Sequence, residues 1–76
     1  MSEFYRTRYK VYNNVAELRK EKGLSQTQLA EIVGLSRNAL SSIERFEAEP
    51  THRTAYVISL YFGKTVEEVF FVLKVK

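Results

Sequence analysis

SQTQLAEIVGLSRNALSSIER, Ser25 to Arg45, carries two short apolar stripes in helical register with one glycine between them. Leu29, Ala30 and Val33 recur at helical spacing in the first half and Leu40 and Ile43 in the second, so each half has one apolar face and the two faces must meet. Gly34 stands where the chain reverses over very few residues, a place for a residue that adopts positive φ at little cost. Ala30 is small enough on the inner face to let two helix axes cross closely. Ser25 and Ser36 offer hydroxyl N-caps for the two helices.

Together with GLSQ (Gly23 to Gln26) before them and Ile43-Glu44 after, these residues resemble the helix-turn-helix proteins of the phage repressor and Cro type, the xenobiotic response element family. The resemblance runs from about Asn14 to Phe70. NNVAELRKEKG looks like the family's first helix and PTHRTAYVISLYFGKTVEEVF like its fourth and fifth. It implies a mainly α, five-helix repressor-like domain. It also implies that Arg19 pairs with Glu44 at the end of the second, recognition helix.

Seventy-six residues are expected to form a single domain, small enough for a dimer interface to add useful stability. No cysteine is present, so disulfides and thiolate metal sites are excluded. No apolar run approaches the ~20 residues that cross a bilayer, and MSEFYRTRYK lacks the apolar core of a signal peptide; a cytoplasmic protein without membrane association is expected. The net charge of +3 and pI near 9.3 are compatible with a polyanionic partner but carry little weight alone.

Outside the helical core, taken as residues 13–70, both ends alternate. FYRTRYKVY, Phe4 to Tyr12, places Tyr5, Thr7, Tyr9 and Val11 on one side and Phe4, Arg6, Arg8, Lys10 and Tyr12 on the other. Residues 1–12 read as an N-terminal strand or as a basic arm along a DNA backbone, and the four aromatics favour the strand. The tail, residues 71–76, alternates in the same way and reads as a second strand. Two such strands can pair with each other or with those of a second subunit.

Between the ends, Asn13 and Asn14 are N-cap candidates for a first helix with Val15, Leu18 and the stem of Lys22 along one side. Gly23 closes that helix. A fourth helix, about Thr51 to Phe62, has Ala55, Ile58 and Phe62 as its core stripe, widened by Tyr56, Val57, Leu60 and Tyr61. So apolar a helix is expected to be buried on two sides, one against the helix-turn-helix and the other able to meet a partner subunit. Thr65 with Glu68 makes a capping box for a short fifth helix, Val66 to Phe70.

In this motif the start of the recognition helix enters the major groove of double-stranded DNA. The expected base contacts are Arg37, Asn38, Ser41 and Ser42. Arg37 has the fork that fits both acceptors of guanine, and Asn38 can both donate to and accept from adenine. Gln26, Thr27, Ser36 and Arg45 are the expected phosphate contacts, helped by free N–H groups at the two helix starts. For Ser36, as for Ser25, capping alone is an equally good account.

The sequence departs from the resemblance after the recognition helix. Where relatives commonly carry a glycine and basic residues, this chain has Phe46-Glu47-Ala48-Glu49. Either DNA is held less tightly here, or Arg45 and Arg53, on either side, replace the missing positive charge. His52, the only histidine, has no carboxylate or cysteine at ligand spacing. No catalytic constellation, metal site, cofactor motif or small-molecule effector site is evident, so an enzyme is not expected. The sequence therefore points to a homodimeric, sequence-specific transcription regulator, a repressor by preference, on a palindromic operator. The alternative is an antitoxin-like or adaptor protein-interaction module with weak or autoregulatory DNA binding.

Overall fold

A computed structural model describes residues 9–74. The chain runs β1 (Tyr9–Asn13), α1 (Val15–Glu21), α2 (Gln26–Val33), α3 (Arg37–Glu44), α4 (His52–Tyr61), α5 (Val66–Val69) and β2 (Phe70–Lys74). The helices start where hydroxyls offer caps. The Ser25, Ser36, Thr51 and Thr65 side chains each accept the backbone N–H three residues on, and Gln28 and Glu68 complete capping boxes at Ser25 and Thr65. At α1 the two asparagines divide the work. Asn13 Oδ1 accepts the Val15 N–H at 3.0 Å, while Asn14, the flanking residue, makes no side-chain cap and instead donates from Nδ2 to the Glu68 carbonyl at 3.3 Å.

The apolar stripes meet as expected. Leu29, Ala30, Leu40 and Ile43 join Val15, Leu18, Ala55, Ile58, Val69 and Phe70 in one core, with Val33 and Phe62 packed at its margin. Full burial of a Leu or Ile side chain is worth about 1.5 to 3 kcal/mol. Leu29, Leu40 and Ile58, all fully buried, are therefore the largest single contributors to cohesion.

Within the single chain the fourth helix buries one of its two expected sides. Ala55, Ile58 and Ser59 are buried, but Tyr56 and Leu60 are 58% and 63% exposed. Its outer face, the side expected to be available to a partner subunit, is open in the single chain. The reason is the number of partners: α5 is one turn long and covers only the side reached by Val66 and Val69. Lys22 does find Tyr61, its Nζ lying 5.3 Å from the ring centroid.

The two strands pair with each other, antiparallel, with Val11 opposite Val72, Tyr12 opposite Phe71 and Asn13 opposite Phe70. Phe70 is extended rather than helical, so α5 ends at Val69 and β2 begins one residue earlier than the alternation suggested. Phe4 to Arg8 of the first alternating segment, with Val75 and Lys76 of the second, lie outside the described residues. Among the described residues, no helix is long and apolar enough to cross a membrane.

Candidate nucleic-acid interface

α3 begins in two steps written locally in the sequence. Gly34 closes α2 at φ 79°, with the Leu35 N–H donating to the Ala30 carbonyl at 2.8 Å. Two residues later Ser36 caps α3, accepting the Ala39 N–H at 3.0 Å. This brings Arg37 and Asn38 into the first turn of α3, both exposed.

Behind them runs a continuous hydrogen-bonded relay. Arg19 Nε donates to Glu44 Oε2 at 2.7 Å and its Nη2 to Oε1 at 3.2 Å, while Nη1 donates to the Leu24 carbonyl at 2.8 Å. The side chains are 11% and 5% exposed, so this is a largely buried, two-point pair, with a third Arg19 donor held by the Leu24 carbonyl. Gln26 Nε2 donates to Glu44 Oε1 at 2.9 Å. That carboxylate can only accept, which turns the Gln26 carbonyl oxygen outward to accept from Arg37 Nη1 at 3.3 Å. Arg37 Nη2 in turn donates to Asn38 Oδ1 at 3.0 Å. The guanidinium is thus held between α2 and its own helix by one N–H from each terminal nitrogen, with three further N–H groups of its own.

The remaining expected contacts divide. Thr27 and Ser36 are exposed at the two helix starts, where unpaired N–H groups favour an anion, and Ser42 is half-buried. Ser41 is not on an exposed face: it is 6% exposed, and Arg45, one turn on, folds back to donate from Nη1 to its Oγ at 2.9 Å. The i, i+4 neighbour therefore covers the position that helical phase alone had left open. Arg45 is also committed to Glu47, with Nη2 at 2.9 Å from Oε1 and both side chains about 60% exposed (59% and 60%). Hydrogen bonding to Arg45, then its charge, with Lys10 adding less, holds the Glu47 carboxyl below the usual carboxylate range.

Two structural features lie outside the sequence reading. Phe46 ends α3 at φ 64°, its N–H donating to the Ile43 carbonyl at 3.0 Å and the Glu47 N–H to the Ser42 carbonyl at 2.9 Å. This is the two-bond helix ending that normally takes glycine. The glycine-to-Phe46 departure in the sequence was the signal that could have found it. The second feature is Asn13, whose Nδ2 donates to the Ile43 carbonyl across thirty residues. No local pattern announces that contact.

The helix-turn-helix family model matches residues 15–69. The HTH-type transcriptional regulator PuuR of Escherichia coli is 34% identical over 56 residues, a region covering 74% of this chain but only 30% of that protein. The uncharacterised HTH-type transcriptional regulators y4dJ of Sinorhizobium fredii and YgzD of Bacillus subtilis are 42% and 38% identical, over 69% and 88% of their lengths. With the model spanning α1 to α5 and the Arg19–Glu44 pair in place, the chain belongs to the helix-turn-helix family of phage repressor and Cro type.

Proposed function

We propose that the protein regulates transcription by binding duplex DNA, with the start of α3 in the major groove. Arg37 and Asn38 are the base-reading residues, Ser42 is a secondary contact, and Thr27, Ser36 and Gln26 bond phosphates. The observation that carries this reading is the relay from the buried Arg19–Glu44 pair through Gln26 to Arg37 and Asn38. A flexible arginine on a merely solvated face has no need of such a mount. A reading arginine gains by it, because a guanidinium already oriented loses less freedom on meeting guanine. Ser41 leaves the proposed set because it is buried. Arg45 remains only as a residue that must release Glu47 before it can reach a phosphate.

The proposal extends to a homodimer on a palindromic operator, acting by repression. Tyr56 and Leu60 on α4, with Leu73 on β2, are the most exposed of the large apolar side chains described, and a second subunit could cover them. The two recognition helices must then lie about one DNA turn, ~34 Å, apart. Selection from a randomised duplex pool, followed by titration at two salt concentrations, tests the reading. Enrichment of a palindrome with half-sites one turn apart is the expected result. Weak, salt-sensitive binding without an enriched sequence would instead support a protein-interaction module, the reading favoured by the acidic Glu47 and Glu49 and by the open apolar positions.

A further inference from the structure

β1 and β2 lie outside the segment that the family model matches, yet they hold the end of α3. Asn13, the last residue of β1, is 8% exposed. Its Nδ2 donates to the Ile43 carbonyl at 2.9 Å and its Oδ1 accepts the Val15 N–H at 3.0 Å, so one amide ties the last turn of α3 to the first turn of α1. Beside it, the Tyr12 ring meets Phe46 edge to face, centroids 5.1 Å apart and planes at 70°. Phe46 is itself the left-handed residue that terminates α3. Both holds therefore come from the last two residues of β1, which are fixed in turn by pairing with Phe70 and Phe71.

Resting on the reading of α3 as the helix that meets DNA, we infer that Asn13 and Phe46 are positioning residues for base recognition: the terminal sheet sets the tilt of α3, and so the place of Arg37 and Asn38. Leu40 and Ile43 fix how deeply the helix sits, because they are buried in the core. Depth does not fix tilt. Ile43 lies six residues beyond Arg37, about 9 Å along the axis at 1.5 Å per residue. A carbonyl held at that distance from the reading end adds, to the Ile43 side chain and the Arg19–Glu44 pair, a hold from the terminal sheet that resists rotation of the helix. Bidentate contacts require both donors in place at once, so a modest change of tilt removes discrimination while leaving attraction to phosphates intact.

The test measures two affinities for each variant at one salt concentration: for a duplex selected by the wild-type chain, and for a scrambled duplex of equal length. Asn13→Asp keeps the acceptor for Val15 and removes the donor to Ile43. Phe46→Gly removes the ring together with the left-handed strain, so it keeps the chain folded if Asn13→Asp does not. Each is expected to lower the ratio of the two affinities roughly tenfold, the worth of one bidentate base contact, with binding to the scrambled duplex unchanged. Val69→Ala, a core change, serves as the stability control and should lower Tm with the ratio preserved. An unchanged ratio in both positioning variants overturns the inference, as does an equal loss on both duplexes that merely tracks Tm. A wild-type chain that selects no sequence overturns the DNA-reading proposal itself, and this inference with it. A selective wild type with unaffected variants overturns the inference alone.

Discussion

The two ends of α3 are built on opposite plans. Its start is local: Gly34 turns the chain, Ser36 caps the helix, and both lie within three residues of Arg37. Its end is assembled from a distance. Phe46 occupies a glycine-type position, Asn13 reaches the Ile43 carbonyl from β1, and Glu44 is held by Arg19 from α1. A helix end made by adjacent residues needs only the right local conformers. One made by remote residues depends on the rest of the domain being folded first, and transmits any change there to the helix.

The largest expected effect comes from breaking the remote end at its most buried point. Glu44→Ala leaves the Arg19 guanidinium buried without its partner and releases Gln26 from its orientation. A loss of about 3 to 5 kcal/mol, read as a lower urea midpoint, is expected for removing one member of a buried pair. A loss below ~1 kcal/mol would show that Arg19 finds solvent easily and that the pair behaves as a surface one.

At the local end, smaller effects are expected. Gly34→Ala meets no steric obstacle, since a Cβ there has nothing within 4 Å, so its cost is conformational, about 1 to 2 kcal/mol for an L-residue in the left-handed region. Ser36→Ala should cost about 1 kcal/mol through the lost cap. Gly34 is not a member of the relay that joins Glu44 through Gln26 to Arg37, so Gly34→Ala and Glu44→Ala should add in a double-mutant cycle to within ~0.5 kcal/mol.

This division also marks what could be read from the sequence. The helical core, the Ser25 and Ser36 caps, the turn at Gly34 and the Thr65–Glu68 box are local patterns, and all stand in the structure. The Arg19–Glu44 pair came from family resemblance, because residues twenty-five apart show no periodicity that joins them. Ser41 was misplaced because helical phase says which way a side chain points. It does not say which longer neighbour, here Arg45, lies over it. Asn13 was read only as a cap because its second hydrogen bond exists only once β1 lies against α3.

Phe46→Gly sharpens the comparison from the opposite direction, because at this position substitution removes strain. Relief of the left-handed conformation, about 1 to 2 kcal/mol, opposes loss of the Tyr12 contact, about 0.5 to 1.5 kcal/mol, and a greater loss of chain entropy on folding. The net change in Tm should be small. A large fall would mean that the ring contributes far more packing than its edge contact with Tyr12.

The smallest expected effect lies on either side of Phe46, at the exposed Arg45–Glu47 pair. Its hydrogen bond and charge lower the Glu47 pKa in the folded chain, so the folded state binds this proton less readily than the unfolded state. The associated stabilisation is complete above the unfolded carboxyl value and is lost as pH falls through the folded one, a window that opens near pH 4.5 and extends downward. Because both side chains are well exposed, the effect should be slight and salt-sensitive. Titrating the Glu47 carboxyl by NMR in wild type and Arg45→Gln checks it: the variant should titrate higher, toward the ordinary value. If the midpoint does not move, Arg45 in solution does not hold Glu47, and only its bond to Ser41 restrains the guanidinium from a phosphate. The two ends of α3 would then be equally open to the duplex, and the acidic segment would no longer distinguish the exit of the helix from its start.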